Sequence, residues 1–274
     1  MDLIKIIQSK FKYLQIREYD IIDSGLDNTV IMVNNSLAFR FPKKEVFYKR
    51  EKDFLDVIYP HITINIPYIN IYEQSGHIFT LHKSISGKIY ASLPKKKQEE
   101  MIENISEDLA IFMAELHSIK SDLKPQEEHN GRSIKNKEII INFLKEKEKI
   151  KKFEEILRLN EKYSNKYKDK DLVICHNDLH GGNFLVNPKT RRLSGIIDFG
   201  DVSIRNYTTE FYMLFESGEN IAMKTLKKYE KLTNRKVDLD WIRVLQKYRA
   251  YRKIGTCLEN NKKINKIFID KINL

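Results

Sequence analysis

The sequence predicts an α+β protein with a β-rich first lobe, residues 1–87, and a mainly helical second lobe, residues 88–274. Two observations lead to this fold class. Roughly the first ninety residues contain short apolar runs separated by turn residues, which is typical of antiparallel strands. From Pro94 onward, apolar residues recur at spacings of three and four, which is typical of helices that bury one face.

The length and composition are those of a globular protein. The chain has 274 residues, of which 41% are hydrophobic and 32% charged, so it can bury about three-quarters of its extended surface. No run approaches the roughly 20 apolar residues that span a bilayer, and polar residues interrupt every apolar stretch near the start. We therefore expect a cytoplasmic protein without membrane association. Cys175 and Cys257 fit neither a disulfide framework nor a metal-site spacing, so we expect ordinary thiols.

The chain is basic, with a net charge of +11 from 49 Lys and Arg against 38 Asp and Glu. Such a charge favours phosphate-bearing partners, whether nucleotides, nucleic acids or lipid head groups. The excess is spread along the chain, however, and in residues 143–163 Lys alternates with Glu as on a solvated helix. The charge distribution therefore does not favour a nucleic-acid partner.

The first lobe is predicted element by element from its turns. Asn34-Asn35 indicates a tight reversal between two strands, and Glu51 falls on the buried face of a helix. The predicted strands are 19–24, 29–33, 37–41, 68–72 and 77–82, and the predicted helix is 44–59.

The second lobe begins with a long core helix that carries apolar residues from Met101 to Leu116 and ends near His117. A charged helical region and then two short apolar segments with a hairpin follow, before the chain becomes helical again. The predicted helical regions are 136–163 and 210–272, and the predicted strands are 172–175, 184–186 and 193–197.

The candidate chemistry lies between Val173 and Asp201. Asp178, Asn183 and Asp198 lie at or near the ends of predicted strands, so all three can face one cavity. Phosphoryl transfer uses such a set, because one carboxylate accepts a proton while an amide oxygen and a second carboxylate hold Mg²⁺. Asp, Asn and Gly are also common in ordinary turns. Two such loops in the right order, each after an apolar strand, favour a site over two turns.

These residues carry a family resemblance. His176, Asp178, Asn183 and the Asp198-Phe199-Gly200 triplet resemble the catalytic-loop and metal-binding motifs of the protein-kinase-like superfamily. The segments HNDLHGGN and IDFGD are similar to those of the aminoglycoside phosphotransferase family, with the 2″-type enzymes the nearest resemblance. LAIFMAELHSI, FRFPK and REKDFL extend the similarity over most of the chain.

The resemblance implies a bilobal protein-kinase-like fold and a role for each matching residue. Asp178 would be the catalytic base, and Asn183 and Asp198 would hold Mg²⁺, while His176 and His180 would shape the loop. ATP or GTP would donate the γ-phosphate to a hydroxyl of an aminoglycoside antibiotic, which would give resistance.

Arg40 and Glu51 are the candidate phosphate-holding pair of the first lobe. Arg40 alternates with Phe39 and Phe41, so it points away from the aromatic face, and Glu51 is its natural partner. Protein kinases have Lys at this position. Lys43 is a competing phosphate ligand, and a purely structural Arg40–Glu51 ion pair is the alternative.

The rest of the nucleotide site is predicted from loops. The loop from Ser24 to Thr29 contains one glycine, Gly25, so it is not a G-x-G-x-x-G cover, but backbone amides of Ser24 or Asn28 could meet phosphate. The segment that would read the purine edge is 81–85, and nothing in it separates ATP from GTP. Its candidate residues are Leu81, Lys83 and Ile85.

A cationic acceptor would need carboxylates near the base. Glu210, Glu216 and Glu219 follow Asp201 in an order that resembles the 2″-type enzymes, although they could equally be surface charges on a helix. A kinase of choline, ethanolamine or a sugar is the alternative enzyme, since CHND also resembles choline kinases. A non-catalytic kinase-like nucleotide binder is the third possibility, and we expect a monomer.

Overall fold

The computed structural model describes residues 3–23, 27–43, 48–123 and 133–273. The helices in this part of the chain are α1 (Leu3–Lys10), α2 (Tyr48–Ile58), α3 (Lys95–Ser118), α4 (Lys137–Leu144), α5 (Lys147–Tyr167), α6 (Thr208–Leu214), α7 (Glu219–Thr233), α8 (Leu239–Glu259) and α9 (Lys266–Asn273). The strands are β1 (Tyr19–Ile22), β2 (Asn28–Val33), β3 (Leu37–Pro42), β4 (Asn70–Gln74), β5 (His77–Lys83), β6 (Lys88–Ile89), β7 (Leu172–Cys175), β8 (Phe184–Asn187), β9 (Arg192–Ile196) and β10 (Ser203–Asn206).

The N-terminal region is an antiparallel five-stranded sheet with the order β1-β2-β3-β5-β4. Asn34 and Asn35 connect β2 to β3 with positive φ angles of 50° and 53°, which Asn tolerates better than most residues, so the predicted reversal is confirmed. One face of the sheet buries Phe39 and Phe41 against Ile7 of α1. The opposite face carries Arg40.

The C-terminal region is mainly helical and is built around α3, whose apolar stripe is buried as the spacing predicts. Two small sheets lie beside this helix. In one, β7 pairs with β10, and in the other, β8 pairs with β6 and β9. The loops that follow β7 and β9 carry the candidate chemistry.

The predicted fold class is confirmed, and the differences from the predicted elements have local causes. The helical region 136–163 is two helices, because Lys145 ends α4 with a positive φ of 59°. Three observed elements were not predicted from the sequence: α1, the two-residue β6 and the polar strand β10. Residues 44–47 of the predicted first helix lie outside the described part of the chain. Among the described helices, none is long and apolar enough to cross a membrane.

Candidate active site

The loop between β7 and β8 is held in shape by Asn177. This residue has a positive φ of 65°, and its buried side-chain amide donates to the carbonyl oxygens of Cys175 at 3.0 Å and Asp201 at 3.1 Å. It also donates to Ser203 Oγ at 2.7 Å. The amide therefore ties the loop after β7 to the segment that leads from Asp198 into β10.

Asp178 and Asn183 are in direct contact. Asn183 Nδ2 donates to Asp178 Oδ2 at 2.8 Å and to the Asp178 carbonyl oxygen at 2.9 Å. Because the amide nitrogen is engaged by Asp178, the amide oxygen is the atom that Asn183 can offer to a cation. The contact thus sets the orientation that an Mg²⁺ ligand requires.

Two histidines shape the same loop. His176 Nε2 lies 3.0 Å from the Ile197 carbonyl oxygen, and its Nδ1 accepts the Asp178 backbone N–H at 3.3 Å. His180 Nδ1 accepts the Gly182 N–H at 3.0 Å, so Nε2 carries the proton and lies 3.5 Å from Asp178 Oδ2. Burial raises the pKa of Asp178, but His180, His176 and Asn183 outweigh it and hold that pKa below its ordinary value. The base candidate is therefore ionised at neutral pH.

Asp198 follows β9 in a left-handed conformation, with φ 66° and ψ 69°. The Ile197 N–H donates to the Asn183 carbonyl oxygen at 2.9 Å, so the Asp198 loop is tied to the loop of Asp178. Desolvation raises the pKa of Asp198, and the positive charge of Arg40 lowers it. The net effect is a raised pKa. Asp198 is exposed, and its charge interacts with that of Asp178. Two carboxylates and an amide oxygen on loops tied together in this way are a donor set that suits Mg²⁺.

Arg40 and Glu51 form the predicted ion pair, and this pairing is confirmed. The two guanidinium nitrogens donate to the two carboxylate oxygens at 2.8 and 2.7 Å, and the residues are only 8% and 2% exposed. Burial lowers the pKa of Arg40, whereas Glu51 and Asp198 raise it more strongly. The negative charges of Glu51 and Asp198 therefore both stabilise the charged form of Arg40, which lies between the sheet and the candidate metal site.

The other predicted nucleotide contacts are partly engaged. Asn28 accepts a hydrogen bond from the Tyr48 hydroxyl at 2.5 Å, and Lys43 lies 2.9 Å from the Asp23 carboxylate. Ser24 lies outside the described residues.

The predicted hinge residues Leu81, Lys83 and Ile85 line a cleft of about 880 Å³, which neither Asp178 nor Asp198 lines. The register places Thr80 opposite Arg40 and His82 opposite Ala38. Directly opposed residues share a face of the sheet, so Thr80 and His82 face the Arg40 side, and Leu81 faces the other side with Phe39. The alternation of side chains along β5 is the sequence signal that places Thr80 and His82 on this face.

Glu210 has a different role from the predicted one. Its carboxylate is fully buried and accepts the backbone N–H groups of His176 at 2.6 Å and Asn177 at 3.0 Å. His117 Nε2 lies 3.7 Å away, and His117 is in turn hydrogen-bonded to the Tyr229 hydroxyl at 2.8 Å. The prediction that Glu210 contacts an acceptor is therefore wrong, because its oxygens are used beneath the catalytic loop.

The two remaining predicted acceptor carboxylates are ion-paired with C-terminal cations. Glu216 contacts Lys271 and lies 3.5 Å from Arg249. Glu219, on the first turn of α7, contacts Arg243 of α8. Neither carboxylate is an unpaired anion that a cationic ligand could neutralise.

The five-stranded antiparallel sheet, followed by a mainly helical region with the loops of Asp178 and Asp198, is the arrangement of protein-kinase-like phosphotransferases. A model of the phosphotransferase enzyme family (APH) matches residues 18–243, which is more than half of the chain. The chain belongs to this family, as the motifs predict.

Solved structures of similar fold cover nearly the whole chain. The match to wild-type aminoglycoside 2′-phosphotransferase-IIIa in complex with GDP covers 99% of this chain and 96% of that protein, with 19% identity and a TM-score of 0.73. The match to a gentamicin complex of APH(2″)-IIa covers 99% of this chain and 96% of that protein, with 22% identity and a TM-score of 0.68. The match to the macrolide 2′-phosphotransferase MphH from Brachybacterium faecium covers 100% of this chain and 98% of that protein, with 12% identity and a TM-score of 0.63. At these identities the likeness shows the fold.

Proposed function

We propose that this protein transfers the γ-phosphate of ATP or GTP to a hydroxyl group of a small molecule. The observation that carries the proposal is the contact of Asp178 with Asn183 in a loop that is hydrogen-bonded to the loop of Asp198. Membership of the phosphotransferase family supports the same reaction class. Solved relatives with bound GDP and ADP support a nucleotide donor.

In this mechanism Asp178 accepts the proton of the acceptor hydroxyl, as its ionised state allows. The hydroxyl oxygen forms a bond to the γ-phosphorus while the bond from that phosphorus to the bridging oxygen breaks, and the nucleoside diphosphate leaves with the electron pair. Asn183 and Asp198 would hold Mg²⁺, which when bound neutralises charge on the phosphates.

The nucleotide lies, in our proposal, between the N-terminal region 1–87 and the C-terminal region 88–274. The pairing of β6 with β8 supports this division, since it assigns the chain from Lys88 onward to the C-terminal sheet. Arg40, held by Glu51, is the proposed phosphate-binding cation, and Lys43 at the rim is the alternative. The proposed backbone contacts to the nucleotide come from Ser24, Asn28, Leu81, Lys83 and Ile85.

Aminoglycosides are the first acceptor class to test, because solved structures of similar fold include kanamycin and gentamicin complexes. With such an acceptor, we propose a cytoplasmic, monomeric resistance enzyme. The cations that neutralise Glu216 and Glu219 favour a second class, hydroxylated anions. Choline, ethanolamine and simple sugars complete the set of candidates.

The experiment is a coupled assay of nucleoside diphosphate release with Mg²⁺ and either ATP or GTP. The acceptors are a panel of aminoglycosides, choline, ethanolamine and neutral and anionic sugars. Acceptor-dependent release is the expected result. A folded protein that binds Mg²⁺–nucleotide but releases no diphosphate with any acceptor would instead match a non-catalytic nucleotide binder.

A further inference from the structure

The side of α8 that approaches the catalytic loop is rich in cations. Arg249 and Lys253 are four residues apart on α8 and so lie on the same face of that helix. Lys271 of α9 lies beside Arg249, because both contact Glu216. Glu216 itself is adjacent to Ser217, whose hydroxyl accepts the N–H of Gly181 in the catalytic loop at 2.7 Å. Arg249 and Lys271 are therefore linked, through Glu216 and Ser217, to the loop that carries Asp178.

Glu216 cannot supply negative charge to a ligand at this place. Its side chain is 17% exposed and shares its carboxylate between Arg249, 16% exposed, and Lys271, 18% exposed. Two cations and one carboxylate leave this group with a charge of +1. A polycationic acceptor would have to break these ion pairs and then approach the two released cations. Both the lost ion pairs and the repulsion between like charges would weaken its binding.

Lys253 is a half-buried cation without a protein partner among the described residues. Burial and the charges of Arg249 and Arg252 lower the pKa of Lys253, whereas the charge of Asp178 raises it. Lys253 therefore shares its helix face with Arg249, which contacts Glu216, and the charge of Asp178 acts on it although the two side chains form no ion pair. A partly desolvated, unpaired ammonium group is strengthened as an anion ligand, because its attraction is less screened by water.

We propose that the acceptor is a small hydroxylated anion, an alcohol that carries a carboxylate or phosphate group. Lys253, assisted by Arg249, binds the anionic group and thereby presents the hydroxyl to Asp178. This inference rests on the phosphotransferase function proposed above and names its substrate class.

The test is a calorimetric titration of the full chain saturated with Mg²⁺ and a nucleoside diphosphate. The probes are glucose, glucuronate, glucose 1-phosphate and kanamycin, which compare a neutral sugar with a carboxylate, a phosphate and a polycation. At least one anionic probe should bind roughly tenfold or more tightly than glucose and kanamycin. The two anions separate a carboxylate acceptor from a phosphate acceptor.

Variants assign that binding to Lys253. Lys253→Gln should weaken the anionic probe roughly tenfold or more, and Lys253→Arg should retain its binding because the charge is kept. Lys262→Gln, an exposed lysine just beyond α8, is the matched control and should change nothing. Thermal unfolding verifies that each variant is folded.

Three results would overturn the proposal: kanamycin binding most tightly, neither anion binding more tightly than glucose, or undiminished anion binding by Lys253→Gln. The proposed function fails differently, through absence of Mg²⁺–nucleotide binding before any probe is added or through nucleotide turnover that does not depend on Asp178. The two failures are therefore distinguishable.

Discussion

At the scale of single residues, the Arg40–Glu51 pair is more informative about function than about stability. Removing two charges from water costs several kcal/mol per ion, and an equally well-packed apolar pair is often as stable. Both charges are nevertheless buried here, with bidentate geometry and Asp198 nearby. A buried cation at this place supports the proposed role of Arg40 in binding the phosphates of a nucleoside triphosphate.

The double variant Arg40→Met/Glu51→Met separates the two roles. Because it removes both charges together, it leaves neither one buried without a partner, and we expect thermal stability near that of the wild type. The nucleotide KM should rise roughly tenfold to a hundredfold, the effect of losing a charged hydrogen bond of about 1.5–3 kcal/mol. Steady-state kinetics with varied ATP or GTP measure it.

The matched control is Lys52→Met/Asp56→Met, which removes an exposed ion pair from the same helix. This control should leave the nucleotide KM unchanged. An unchanged KM in the Arg40/Glu51 variant as well would show that the buried pair is structural only.

At this scale the sequence predicted contacts whose partners lie in one motif or on adjacent elements. The pairing of Arg40 with Glu51 followed from strand alternation and helix spacing. Glu210 was misassigned because its partners are backbone N–H groups of the loop after β7, which lies more than thirty residues earlier. Side-chain spacing carries no information about such contacts.

At the scale of elements, the segment between α2 and β4 joins the two regions through Asn65. The Asn65 carbonyl oxygen accepts the Ile196 N–H at 2.9 Å, and its side-chain amide donates to the Ser194 carbonyl oxygen at 2.8 Å. Ile85 of the predicted hinge packs over Gly195 of β9 at the same place. Glycine is required there, because a Cβ would lie 2.9 Å from the Asn65 oxygen and closer still to Ile85.

Gly195→Ala should therefore displace Ile85 and weaken nucleotide binding. We expect a destabilisation of about 1–3 kcal/mol from the overpacked contact, together with a raised nucleotide KM. Differential scanning calorimetry and nucleotide titration measure the two effects.

Gly76→Ala is the control, since Gly76 has a positive φ of 75° but open space where a Cβ would lie. It should lower stability without changing the nucleotide KM. If both variants bind nucleotide like the wild type, the contact at Gly195 does not position the hinge.

The elements that the sequence predicted are those whose hydrophobic pattern is strong and local. The stripe of α3 and the apolar run of β7 were found because burial imposes their spacing. The two-residue β6 and the polar β10 form because β8 and β7 offer them hydrogen-bonding edges. That cause is tertiary and leaves no periodicity in the sequence.

At the scale of the whole molecule, the two regions meet around the candidate metal loop. Arg50 of α2 donates to the Gly200 carbonyl oxygen at 2.7 Å, directly beyond Asp198. The helix that supplies Glu51 is thus hydrogen-bonded to the loop that would bind Mg²⁺. The fold class and family followed from the sequence. The cluster of Arg249 and Lys271 around Glu216 did not, because it depends on the packing of α8 against α9.

The most direct measurement of the central claim is phosphorus NMR of reactions containing Mg²⁺, ATP or GTP and the acceptor panel. We predict that the wild type forms a phosphate monoester on an acceptor hydroxyl. Asp178→Asn should lower kcat by about 10²- to 10⁴-fold, the contribution of a general base, while it still binds nucleotide. Wild-type turnover by Asp178→Asn would contradict the account, because a group other than Asp178 would then accept the proton of the acceptor hydroxyl.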